Sequence, residues 1–160
     1  CQGVAILAAR EEMGFSPPIE SDAKPLNGLL GALLKTGLPV HAMRDPTRGG
    51  IAATLVEWAH AKIDITVEES ALPVRADVRA ACAVLGLDMM QVANEGVALI
   101  ALPSAAEEQA LLALRGHPDG RHAARIAHVA EGDGRVLMRT ETGTLRRVRM
   151  PSGELLPRIC

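Results

Sequence analysis

Apolar positions along this chain follow two rhythms. Leu26, Leu29, Leu30, Leu33 and Leu34 recur at helical spacing. Ile51, Leu55, Trp58 and Ala59 do the same within a helix expected over Ile51–Lys62. Ile63–Val67 instead alternates, Ile-Asp-Ile-Thr-Val, which is the period of a half-buried strand. Val97–Leu102 is continuously apolar, the mark of a buried strand.

The remaining elements follow from their ends. A first helix is expected over Gly3–Met13, closed by Gly14, followed by a loop at Phe15–Lys24. A second runs over Pro25–Lys35 and is stopped by Gly37 and Pro39. A short strand, Val40–Met43, comes next. A helix over Arg75–Leu85 ends at Gly86, and Met89–Gly96 is a connection. Ser104 with Glu107 has the form of a capping box for a helix to Arg115. After the turn His117-Pro-Asp-Gly120, strands at Ala124–Ala130, Arg135–Arg139 and Leu145–Met150 read as a meander joined by Asp133-Gly134 and Thr142-Gly143. The alternation predicts an α/β (α+β) domain, a mixed β-sheet covered by helices. Residues 1–150 make that domain and 151–160 a C-terminal tail.

Composition narrows the functions. The 160 residues and 48% hydrophobic content suffice for one core. Phe15 and Trp58 are the only aromatics, so base-stacking platforms are missing. With a net charge of -2, no field draws the chain to nucleic acid or an anionic membrane. No run is apolar enough to span a bilayer. Cys1, Cys82 and Cys160 form no C-x-x-C pair and are odd in number, which points to a reducing, cytoplasmic setting. His41, His60, His117, His122 and His128 show no zinc-ligand spacing. Arg146, Arg147 and Arg149 read as a solvated strand edge.

Three stretches can carry chemistry. Asp45-Pro-Thr-Arg-Gly-Gly50 lies between a strand and a helix, where glycines and free N–H groups favour an anion and Arg48 adds charge. The alternative is a tight turn in which Asp45 or Thr47 merely caps the helix. In Val92-Ala-Asn-Glu-Gly96, Asn94 and Gly96 tolerate positive φ and hold Glu95 on a tight loop. A carboxylate there suits a general base, the more so if burial raises its pKa; the alternative is a plain turn. Finally, Pro151, Gly153 and Pro157 oppose regular structure in a segment that ends on Cys160. A thiol at the tip of an extended tail can travel between sites, or the tail is simply a frayed terminus.

Arg44-Asp-Pro-Thr-Arg-Gly-Gly50, Val92-Ala-Asn-Glu-Gly96, His117-Pro-Asp-Gly120 and Gly153-Glu-Leu-Leu-Pro-Arg-Ile-Cys160 occur in that order. Together they resemble the C-terminal half of the HypE family, carbamoyl dehydratases of nickel–iron hydrogenase maturation, within the aminoimidazole ribonucleotide synthetase and selenophosphate synthetase superfamily. The resemblance implies a C-terminal domain like that of aminoimidazole ribonucleotide synthetase. It also implies an N-terminal domain, absent from these residues, that holds most of the ATP and Mg²⁺ site and forms a homodimer. A carbamoyltransferase, HypF, would load the C-terminal cysteine. ATP-dependent dehydration would give a thiocyanate, and the cyano group would pass to a HypC–HypD scaffold. Carried over by position, Cys160 is the carrier and Glu95 takes the amide proton. Asp45, Thr47, Arg48, Gly49 and Gly50 are the nucleotide-binding candidates. This chain alone is then expected to be a carrier without competent ATP chemistry. Two rivals are a non-catalytic interaction module for maturation partners, and half of another synthetase or kinase of that superfamily.

Overall fold

The structure is a computed structural model in which residues 1–60 and 62–152 are described. Five helices are present among them: α1 (Gln2–Arg10), α2 (Asn27–Leu34), α3 (Gly50–Trp58), α4 (Ala76–Leu85) and α5 (Glu107–Arg115). The strands are β1 (Ala42–Arg44), β2 (Ile63–Glu68), β3 (Leu99–Ala101), β4 (Ala127–Glu131), β5 (Val136–Arg139) and β6 (Leu145–Val148).

The strands form two sheets. One is the antiparallel pair β1–β3; the other has the order β4-β2-β5-β6. In the larger sheet β2 runs antiparallel to β4 but parallel to β5, so the sheet is mixed. Alternation along β2 decides its faces. Ile65 and Val67 point inward with Val136, Met138 and Val148, and α3 covers them with Ala52 and Leu55. On the opposite face Asp64 pairs with Arg135 at 3.0 Å and Glu68 with Arg139 at 3.3 Å. A second cluster joins Val4 to Val78, Ala81 and Cys82. A third, centred on Leu33, Ala110 and Leu114, packs against Met43 and Ile100 of the small sheet.

Three local expectations are corrected. The C-terminal strands are not a meander: β5 and β6 form a hairpin, but β2 lies between β4 and β5. Asp64 makes this possible by accepting the N–H groups of Asp133 and Arg135 through Oδ1, at 2.9 and 2.8 Å, so the Asp133-Gly134 segment crosses the end of β2. The Ser104 capping box does not form; Ser104 opens a 3₁₀ turn, Ser104–Ala106, and α5 begins at Glu107 without a side-chain cap. Helix α1 stops at Arg10, and Glu12, at φ 48°, takes the left-handed position expected of Gly14.

Candidate active site

The first stretch is a strand-to-helix loop, as expected. Pro46 is fully buried and seats the loop, while Asp45 and Arg48 are exposed and Thr47 is half-buried. The Gly50 N–H donates to the Thr47 carbonyl at 3.0 Å, closing the turn. Gly49, at φ 76°, is the residue before the helix, and no side chain caps α3. Asp45 and Thr47 are therefore not helix caps. Gly50 also has positive φ, 61°, and a Cβ there would lie 2.6 Å from the carbonyl oxygens of both Met90 and Val92. No residue with a side chain fits without moving backbone. The segment 90–92 is thus packed directly beneath the loop.

The second stretch meets the first. The Asn94 N–H donates to the Pro46 carbonyl at 3.1 Å, and Asn94 Nδ2 to the Val92 carbonyl at 2.8 Å. The Gly96 N–H donates to Asp22 Oδ2 at 3.4 Å, and a Cβ on Gly96 would fall 1.7 Å from the Asp22 carbonyl oxygen. Glu95, half-buried, is held between these two attachments. Asn94 and Gly96 do not adopt positive φ; hydrogen bonds and close approach shape the loop instead. The Pro46–Asn94 bond joins residues far apart in sequence, which no local pattern announces.

The third component is the root of the tail. Pro151 packs on the glycine loop: a Cβ on Gly49 would lie 3.3 Å from Pro151 Cγ. The groove beside it, about 230 Å³, is lined by Asp88, Gln91, Arg146, Arg147, Arg149 and Pro151, among others. Cys160 lies outside the described residues. Neither other thiol suits a carrier. Cys82 is buried, and desolvation pushes its pKa up, which suppresses the thiolate. Cys1 is half-buried, with its thiol directed to the Glu20 carbonyl at 3.5 Å.

Asp88 and Arg146 were missed as site residues. Asp88 Oδ1 accepts the Met90 N–H at 2.9 Å and caps the 3₁₀ turn Met89–Gln91. Arg146 Nη2 donates to both Asp88 oxygens, at 3.2 and 3.0 Å, so it is not a free edge charge. An Asp just before a turn is a readable cap signal, but its arginine partner is distant.

The exposed Arg48 and the start of α3, which no side chain caps, fit the phosphates of a nucleotide. Residues for its magnesium are another matter. Among the described residues no group of three His, Cys, Asp or Glu side chains could hold a metal ion. No helix among them is long and apolar enough to cross a membrane.

Fold and site together define a mixed α/β domain that carries a glycine loop between β1 and α3. The chain belongs to the family of AIR synthase related protein, C-terminal domain, whose profile matches residues 1–139. It is 49% identical to the carbamoyl dehydratase HypE of Cupriavidus necator over 99% of this chain and 46% of that protein. It is 46% identical to the HypE of Azotobacter vinelandii over 99% of this chain and 47% of that protein. The chain thus spans about half the length of the curated relatives it matches. The crystal structure of the hydrogenase maturation protein HypE superposes with a TM-score of 0.92 at 41% identity, covering 99% of this chain and 52% of that one. A HypE crystal structure in complex with ATP gives 0.89 at 41% identity, covering 99% and 49%. A HypE–HypF complex gives 0.87 at 37% identity, covering 94% and 49%.

Proposed function

We propose that this chain is the C-terminal half of a carbamoyl dehydratase of the HypE type and that Cys160 carries the group being dehydrated. The observation that carries the reading is Pro151 seated on Gly49: the last described residues lie at the rim of the glycine loop. Seven residues lie between Ser152 and Cys160, eight steps along the chain. Fully extended they span at most about 28 Å, so the thiol can reach the loop or extend well beyond it.

The thiolate of Cys160 takes a carbamoyl group, giving an S-carboxamide. Its oxygen is a poor leaving group until ATP phosphorylates it. Arg48 and the N–H groups at the start of α3 bind phosphate oxygens, with Asp45 and Thr47 at the loop's entrance. Phosphorylation of the oxygen gives S–C(OPO₃²⁻)=NH and releases one N–H proton to solvent; Glu95 accepts the remaining N–H proton as the C–O bond breaks and phosphate departs, leaving S–C≡N. The relative solved with ATP supports nucleotide use. The magnesium would be held mostly by the N-terminal half. The relative solved with HypF supports a transferase of that kind as the loading partner. A HypC–HypD scaffold receives the cyano group, and the complete protein is a homodimer in the cytoplasm.

Incubating the chain with a HypF-type carbamoyltransferase, ATP and labelled carbamoyl phosphate tests the carrier role. Label should appear on Cys160 and be absent from Cys160→Ala. Label elsewhere, or none, would remove the reading.

A further inference from the structure

We propose that Asp22 is a positioning residue, which holds the loop carrying Glu95 through the Gly96 N–H and so sets the placement of the candidate base. This rests on the reading of Glu95 as the base of the dehydration. Glu95 has a neighbour tied down on each side. On one side the Asn94 N–H is bonded to the Pro46 carbonyl. On the other the Gly96 N–H donates to Asp22 Oδ2 at 3.4 Å. The backbones are closer still: a Cβ on Gly96 would lie 1.7 Å from the Asp22 carbonyl oxygen and 3.0 Å from Lys24 Cγ. Residues 22–24 are thus a strap pressed across the loop. Asp22 Oδ1 is buried, has no hydrogen-bond partner among the described residues, and lies 3.0 Å from the Cys1 nitrogen. That nitrogen donates to Asn94 Oδ1, so the two ties that flank Glu95 converge there.

The strap is anchored at both ends by residues with no part in the reaction as written above. Ser21 Oγ accepts the Ala23 N–H at 3.0 Å and donates to Oε1 of Gln2, a polar residue buried in α1. Lys24 Nζ donates to Asp119 Oδ1 at 3.1 Å. Asp119 belongs to the turn His117–Gly120, where its N–H donates to His117 Nδ1 at 3.2 Å. Gly120 seats that turn on α5, since a Cβ there would fall 2.0 Å from the Leu114 carbonyl oxygen. A carboxylate whose inner oxygen is buried without a hydrogen bond costs stability, so tightening of the core does not account for Asp22. Holding a reacting group in place does. An error of about 1 Å in its placement can cost on the order of a hundredfold in rate.

The test uses the chain assembled with a nucleotide-binding half of the HypE type, with transferase-driven carbamoylation and ATP-dependent dehydration followed separately. Asp22→Ala removes the acceptor, and Asp22→Glu keeps the charge but lengthens the arm by a methylene. Each should be carbamoylated at the wild-type rate with an unchanged KM for ATP, yet dehydrate about tenfold more slowly. Asp22→Asn keeps an acceptor for the Gly96 N–H and should recover most of the rate. In a Glu95→Gln background Asp22→Ala should slow dehydration no further, because Asp22 acts through Glu95. Wild-type dehydration by Asp22→Ala and Asp22→Glu would overturn the proposal, as would a further loss on top of Glu95→Gln. So would a parallel fall in carbamoylation, dehydration and melting temperature, which marks a merely structural role. If Asp22→Ala does not fold, the other pair decides: Asp22→Asn slower than Asp22→Glu would overturn the proposal. A wild-type rate in Glu95→Gln itself would instead overturn the reading of Glu95 as the base, and leave Asp22 nothing to position.

Discussion

The Asn94 N–H donates to the Pro46 carbonyl at 3.1 Å, and this bond sets the candidate base beside the candidate phosphate loop. Pro46 is buried at the end of β1, and Asn94 precedes Glu95 on the way to β3. Because β1 and β3 are paired in register, with Arg44 opposite Leu99, the two loops leave the same end of one small sheet. The site is therefore a product of strand pairing, and changes to either loop should be felt in the other.

Gly50→Ala should be the most disruptive small change in the loop. Left-handed backbone costs an alanine about 1–2 kcal/mol, and the clash with two carbonyls adds about 1–3 kcal/mol. Gly143→Ala is the control, since Gly143 has φ 85° but open space around it. It should lose only the backbone part, about 1–2 kcal/mol. Denaturant unfolding of the two variants should separate these effects; equal losses would mean that Gly50 is not tightly seated.

Glu95→Gln should leave folding and carbamoylation intact while slowing dehydration by roughly a hundredfold or more. The amide preserves size and can still hydrogen-bond, but it cannot take a proton at neutral pH. Single-turnover formation of the thiocyanate is the measurement, and a wild-type rate would exclude Glu95 as the base.

Acid should loosen the larger sheet through Asp64. Its carboxyl is held below the usual range, first by the Arg135 N–H, then by the Asp133 N–H and the Arg135 guanidinium. A depressed carboxylate contributes stability that is complete above its unfolded pKa of about 3.9 and fades as pH falls through the lower folded value. Stability measured from about pH 5 downward should fall less steeply in Asp64→Asn than in the wild type. Identical pH profiles would contradict the assignment.

The parts legible in the sequence are those with local causes. The alternation of Ile63–Val67 gave β2, and Gly86, at φ 66°, caps α4 as its position implied. The glycine loop, with Asp45, Thr47 and Arg48, falls between strand and helix as read. What stayed hidden depends on partners remote in sequence. Strands adjacent in sequence usually pair, so the sequence pattern pairs β4 with β5. The inserted β2 is held by Asp64 binding N–H groups some seventy residues away. Ser104 and Glu107 had the right spacing for a cap, but a 3₁₀ turn intervenes. Arg146 looked like an edge charge because Asp88 approaches only in the folded chain.

The carrier role predicts a chemical requirement at position 160. Cys160→Ser should fold with unchanged stability, within about 0.5 kcal/mol, yet deliver no cyano group, because an alkoxide leaves far less readily than a thiolate. Normal delivery by this variant would contradict the carrier role.

The most direct measurement is intact-protein mass spectrometry of the chain loaded by a HypF-type transferase with carbamoyl phosphate and ATP, then freed of nucleotide and assembled with a HypE-type nucleotide-binding half. Before ATP is restored for the second step, one carbamoyl group should sit on Cys160. After ATP is added, that species should lose one water while phosphate and ADP accumulate in equal amount. A carbamoyl adduct that persists with ATP present, or a loss of water mapped to any other residue, would contradict dehydration on the C-terminal cysteine.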